Sequence, residues 1–247
     1  MKGRLFTFGC SFTRYCWPTW ANILGQEFDS FENWGKPGTG NSFILYSLIE
    51  CHQRNQITKD DTVIVMWTSA GREDRWVNNT WIAPGSIYNQ DIYDQNFVVK
   101  FADPTGYLIR DLATLTATRH VLDNIGCQYH FLQMAPWDLV DDSKHKKETV
   151  DNRLKKLYNK ELETIKPSVY DTVFNGSWSS RNDLKPLVND DHPIPGEHLL
   201  YLEQVLPEYT ISDSTRQLII KADQDVVADI PFNSWNQWRE QDPEKRF

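Results

Sequence analysis

The sequence predicts an α/β fold, a mostly parallel sheet with helices packed on both of its faces. Three observations predict it. Short apolar runs alternate along the chain with segments of helical period. One of these runs, "DTVIVMW" at 61–67, is continuously apolar after a polar turn, as expected of a strand covered on both faces. The loops with unusual chemistry all follow predicted strands, where sheets of this class build their sites.

The elements follow in order. "RLFTF" (4–8) reads as a buried first strand. "PTWANILGQEF" places Trp20, Ile23, Leu24 and Phe28 at helical spacing, with Pro18 suited to a helix start. "SFENW" (30–34) is a short second strand. The glycine-rich turn "GKPGTGN" leads into a helix at "SFILYSLIECHQR". Residues 61–67 are the third strand. The stretch 75–104 has no consistent period and carries Trp76, Trp81, Tyr88, Tyr93 and Phe97 among polar residues, so it reads as an insertion or lid. Residues 104–124 read as a helix and "CQYHFLQM" (127–134) as a fourth strand. A charged amphipathic helix is expected over 146–165. "SVYDTVF" (168–174) is either a fifth strand or irregular. "GEHLLYLEQVL" (196–206) is a helix closed by Pro207. A further helix near 214–227 precedes a tail with Trp235, Trp238 and Phe247. The reading is one domain over 1–247, with the insertion at about 75–104 and a C-terminal extension from about 208.

Length and composition narrow the function. The 247 residues suffice for a core without disulfide staples. A formal net charge of -8 without a basic run suits neither nucleic acid phosphates nor an anionic membrane. Small or neutral substrates, including sugars, fit better. The four cysteines form no CxxC pair, so neither a zinc site nor a disulfide framework is expected. The opening "MKGRLFTFGC" lacks the apolar core of a signal peptide, and no apolar run approaches the ~18 residues of a membrane span. A soluble cytoplasmic protein is the expectation; oligomeric state stays open.

Three segments carry chemistry. In "FGCSFT" a serine on a sharp turn between strand and helix can project its hydroxyl clear of the sheet, near helix N-terminal amides; the same pattern serves as a plain helix cap. "NWGKPGTGNS" (33–42) nearly spells a phosphate loop, with Gly35, four residues, then Gly40. It has Asn41 where that loop needs a lysine, which argues against nucleotide binding. Its glycines can instead bring bare backbone close, with amides of Gly38 or Gly40 and the Asn41 side chain facing a developing oxyanion. "NDDHPIPGEH" (189–198) offers a histidine base beside carboxylates. Asp190, Asp191, His192 and His198 also read as metal ligands, but no matching cluster occurs elsewhere. No metal and no cofactor is expected.

In their order along the chain, these segments resemble the SGNH (GDSL-like) hydrolase family. Gly9, Cys10 and Ser11 occupy the place of that family's G-D-S turn, an N-x-x-x-x-G arrangement runs from Asn33 to Gly38, and "DDHP" matches the last block around His192. The resemblance, over roughly 4–206, implies a flavodoxin-like three-layer α/β/α sandwich around a five-stranded parallel sheet. It also implies a metal-free serine esterase, with Ser11 as nucleophile, His192 as base, and the Ser11 and Gly38 amides in the oxyanion hole. The sequence departs from the family at three places. Cys10 replaces the Asp before the serine, which leaves a thiol as the other possible nucleophile. The third block, usually G-x-N-D, is "WTSAGRED", so Thr68, Ser69 or Asn41 must stand in for the oxyanion asparagine. Position 189 is Asn, so Asp190 becomes the expected triad acid, with Asp191 as the alternative.

Arg72, just past the third block, is expected either to bind an acid group or to pair with Glu73 or Asp74. Trp76 and Trp81 are candidates for substrate contact, because flat rings stack on sugar faces, and equally for packing the insertion onto the body. The expected reaction is hydrolysis of small O-acyl esters, acetyl among them, with a carbohydrate as the first candidate for the alcohol. The alternative is a degenerate relative that binds a glycan or a protein without catalysis.

Overall fold

The computed structural model describes residues 3–88, 93–137, 152–177, 190–228, 232 and 234–239. Five strands form one sheet: β1 (Arg4–Phe8), β2 (Ser30–Asn33), β3 (Thr62–Trp67), β6 (Gln128–Gln133) and β7 (Ile165–Ser168). Their order is β2-β1-β3-β6-β7, and every pairing is parallel. This is the flavodoxin-like order, which reverses between β1 and β3 and opens a crevice at their carboxyl ends.

The alternation of side chains along the strands explains the layers. In β3, Val63, Val65 and Trp67 enter one core while Ile64 and Met66 enter the other. In β1, Leu5 faces one side and Phe6 and Phe8 the opposite. Helices α2 (Asn41–Asn55) and α4 (Pro104–Ile125) cover one face through Ile44, Leu48, Leu112 and Leu115. Helices α1 (Trp20–Gly25), α8 (Pro195–Val205) and α9 (Asp213–Val227) cover the other through Trp20, Leu24, Tyr201 and Ile219. The result is a three-layer α/β/α sandwich. Trp20, Trp34 and Trp67 are fully buried core residues.

The structure corrects three expectations. The insertion is not aperiodic: it holds a hairpin of β4 (Arg75–Val77) and β5 (Thr80–Ile82), then α3 (Gln95–Phe101). The hairpin turn is Asn78-Asn79, both at positive φ (51° and 60°), as a two-residue turn matched to strand twist requires. The fifth strand is Ile165–Ser168, earlier than 168–174. Ser168 instead caps α7 (Val169–Thr172) by accepting from the Asp171 N–H at 3.0 Å, and Pro167 is tolerated because β7 is an edge strand. Within the helix expected over 146–165, the described part is two short helices, α5 (Asn152–Leu157) and α6 (Asn159–Leu162), and residues 146–151 lie outside the described residues. The tail beyond α9 contributes a 3-10 turn at Ser234–Gln237 and the buried Trp238; Phe247 lies outside the described residues.

Candidate active site

The crevice begins at the turn after β1. Thr13 and Arg14 N–H groups both donate to the Cys10 carbonyl, at 2.9 and 3.0 Å, closing a single helical turn that starts immediately beyond the strand. Gly9 permits it. A Cβ at Gly9 would lie 2.0 Å from Thr13 Oγ1 and 3.0 Å from the Met66 carbonyl oxygen, an overpacking worth about 1–3 kcal/mol. On this turn Cys10 and Ser11 diverge. Cys10 is fully buried in the core, with Sγ 3.9 Å from Met134 Sδ. Ser11 retains 9% exposure.

The loop before α8 lies against the same turn. His192 stacks on Tyr15 at 3.9 Å between ring centroids and 18° between planes, and it meets Phe12 at 5.2 Å. Trp17 Nε1 donates to the Pro193 carbonyl at 2.8 Å and anchors the loop. Asp190 completes the arrangement. Its Oδ1 accepts from the His192 backbone N–H and from Nδ1, both at 2.7 Å, and its Oδ2 accepts from the Tyr15 hydroxyl at 2.5 Å. Burial alone would raise the Asp190 carboxyl, but the His192 and Tyr15 hydrogen bonds outweigh it and hold the group at about 2. An ionised carboxylate only accepts, so the Nδ1 facing it carries the proton and Nε2 is left as the basic nitrogen. Asp191, the alternative acid, is exposed.

A stability effect follows from Asp190. Its folded-state value lies below the usual 3.8, so the stabilisation is complete above about pH 4 and is lost as pH falls toward 2. The difference corresponds to at most about 2 kcal/mol, since the side chain keeps some solvent contact. Thermal melts between pH 5 and pH 2 are expected to show a steeper loss in the wild type than in Asp190→Asn.

The remaining sequence candidates divide. Gly38, at φ +78°, belongs to the loop after β2; a Cβ there would fall 2.1 Å from the Ala83 carbonyl oxygen, and the Gly38 carbonyl accepts from Gly85 N–H at 2.8 Å. The Gly40 N–H is committed to Asp74 at 2.7 Å, which leaves Gly38 as the backbone candidate of the pair. Asp74 also accepts from Phe43 N–H at 2.9 Å, so a carboxylate of the chain itself occupies the N-terminus of α2 where a phosphate loop would hold its ligand.

Asn41 is a correction. It is fully buried, its amide nitrogen donates to the Thr68 carbonyl at 3.1 Å and to Asp111 Oδ2 at 2.8 Å, and its oxygen accepts from Thr68 N–H. Both its N–H groups are taken, so it fixes the third-block backbone and has none to offer an oxyanion. Burial pushes Asp111, behind it, up to about 6. Ser69 is buried, and its Oγ has no hydrogen-bond partner among the described residues.

Arg72 pairs with neither expected carboxylate. Glu73 engages Arg75, Arg110 and the Tyr107 hydroxyl. Trp81 packs on Phe43 and Tyr46 of α2 and on Trp76, so its role is to seat the hairpin; Trp76 stays 45% exposed. His198 is buried within α8, and the described residues contain no group of three or more His, Cys, Asp or Glu able to hold a metal ion. Asn189 lies outside the described residues.

Sequence reasoning missed Tyr15. Its contacts with Asp190 and His192 span about 175 positions of chain, and no local spacing signals them. The aromatic density of Phe12, Tyr15 and Trp17 directly after the serine turn was the available clue.

No protein-family model matches the chain, and no curated protein matches it. Among solved structures it is similar to a member of the lipolytic protein G-D-S-L family from Veillonella parvula, at 16% identity over 84% of this chain and 100% of that one, with a TM-score of 0.48. It is also similar to a GDSL-like lipase from Bacteroides thetaiotaomicron, at 8% identity over 92% and 89% of the two chains, with a TM-score of 0.35. Likeness at this level leaves site and reaction to be argued from the residues themselves.

Proposed function

We propose that the chain is a serine ester hydrolase of the SGNH (GDSL-like) type. The observation that carries this reading is the Asp190–His192 pair, held by Tyr15 and Phe12 against the turn that bears Ser11. In this reading His192 takes the proton of Ser11 as its oxygen attacks the ester carbonyl. Asp190 holds the ring in the required tautomer and stabilises the imidazolium that forms. The Ser11 and Gly38 amides, with the Ser69 hydroxyl in place of the family's asparagine, face the oxyanion. His192 then protonates the leaving alcohol, and water, activated the same way, releases the acid. Small O-acyl esters remain the proposed substrates. An acylated carbohydrate is supported by the exposed ring of Trp76 alone. The four cysteines are free thiols, which fits the proposed cytoplasmic location.

The test is hydrolysis of short-chain p-nitrophenyl esters and an acetylated sugar by wild type, Ser11→Ala, Cys10→Ala and His192→Ala. Activity that depends on Ser11 and His192 supports the reading. No turnover of any ester, with glycan or protein binding unchanged in Ser11→Ala, would instead make the chain a non-catalytic binder.

Tyr15 acts here as a positioning residue. Tyr15→Phe keeps the ring stacked on His192 and removes the hydroxyl from Asp190. A hydrogen bond to a charged group of this kind is worth about 1.5–3 kcal/mol, so kcat is expected to fall roughly 10-fold or more. The acid limb of the pH–rate profile should shift with it. An unchanged profile and rate would make the tyrosine merely structural.

A further inference from the structure

Arg72 is placed where the loops of four strands converge. Its Nη1 donates to the Thr39 carbonyl, between the two loop glycines after β2, at 3.1 Å. Its Nη2 lies 3.9 Å from Met134 Sδ, the sulfur that also meets Cys10 beside the nucleophile turn and Thr68 at the end of β3. The Arg72 carbonyl is fixed by Arg110 of α4 at 2.8 Å, so the residue is held from both ends.

Its charge is nevertheless unmatched. Among the described residues no carboxylate stands within ion-pair distance of Arg72, whereas the neighbouring Arg110 has both Glu73 and Asp111. Asp74 is near enough to feel the guanidinium, but its two oxygens accept from Gly40 and Phe43 N–H groups. Among the described residues, Arg72 Nε is buried without a hydrogen-bond partner. The guanidinium thus spends one N–H on the Thr39 carbonyl and keeps an unpartnered Nε donor at the carboxyl end of the sheet, a donor suited to an anion. Guanidinium geometry matches a carboxylate through paired N–H donors. The chain's overall negative charge works against long-range capture of an anion, so recognition here depends on contact.

We propose that Arg72 binds a carboxylate carried by the ester substrate, making the site selective for anionic over neutral esters. This rests on the esterase reading for the identity of the ligand as a substrate. The test compares p-nitrophenyl butyrate with 3-carboxy-4-nitrophenyl butyrate, which carries the carboxylate on the alcohol side. It also compares methyl butyrate with monomethyl succinate, which carries it on the acyl side. The wild type is expected to favour one charged ester over its neutral partner by about 10- to 100-fold in kcat/KM, through KM. Arg72→Gln should erase that ratio and Arg72→Lys restore part of it. A ratio within one variant does not depend on how much of it is folded. Equal rates on charged and neutral esters in the wild type, or a ratio unchanged in Arg72→Gln, would overturn the proposal. If no ester is turned over, calorimetric binding of succinate separates the two readings. Binding lost in Arg72→Gln keeps the anion site while the esterase reading fails, and no binding to the wild type overturns the anion site as well.

Discussion

Ser11→Ala is expected to lower kcat/KM on a short-chain p-nitrophenyl ester by roughly 10⁴–10⁶-fold, and His192→Ala by a similar factor. The two losses should not add. Once either the nucleophile or its base is gone, the other has no step to perform, so the double variant should resemble each single one. Residual rate would come from binding and the oxyanion amides. Cys10→Ala is the internal control. Its thiol is fully buried against Met134, so its removal acts on packing and not on the reaction. Loss of activity in Cys10→Ala with full retention in Ser11→Ala would move the nucleophile to the thiol.

Asp190→Asn is expected to lower kcat by about 10⁴-fold with little change in fold. The carboxylate accepts from three donors: Nδ1 and the backbone N–H of His192, and the Tyr15 hydroxyl. An asparagine nitrogen turned toward Nδ1 would donate instead. The ring would then carry its proton on Nε2 and could not take one from Ser11. An asparagine oxygen turned the same way would preserve the tautomer but remove the negative charge that stabilises the imidazolium. In either orientation the rate falls, and the pH dependence of kcat should change with it. A decrease of less than about tenfold would mean that Asp190 does not orient the base.

Much of the frame was legible in the sequence because strand burial is a local pattern. "DTVIVMW" reads as a strand covered on both faces, and the structure places Val63, Val65 and Trp67 in one core and Ile64 and Met66 in the other. The hairpin at 75–82 was missed because its strands are three residues each, too short to display a period. The Asn-Asn turn was its only local mark. The fifth strand was misplaced for a related reason: Pro167 argues against a strand unless the strand lies at an edge, and edge position is a property of the assembled sheet.

The site divides along the same line. The serine turn and the Asp-Asp-His-Pro loop are contiguous motifs, so Asp190 and Asp191 could be named as the candidate acids from local sequence, and it is Asp190 whose carboxylate meets His192 Nδ1. Asn41 misled because its type and place beside two glycines suit an oxyanion donor. What decides its role is the competition of Asp111 and Thr68 for its amide, set by α4 and β3 far along the chain. Tyr15 was invisible for the converse reason, being joined to Asp190 by folding alone. Arg72 could be singled out by charge, but only the structure separates it from Arg110, which has carboxylate partners of its own.

The central claim is that Ser11 is a nucleophile activated by His192. A fluorophosphonate probe with peptide mapping by mass spectrometry tests it most directly, because labelling requires an activated serine and no knowledge of the natural ester. The predicted result is one covalent adduct on the Ser11 peptide of the wild type, absent in Ser11→Ala and strongly reduced in His192→Ala. Folded wild type that stays unlabelled, or an adduct that persists in Ser11→Ala, would contradict it.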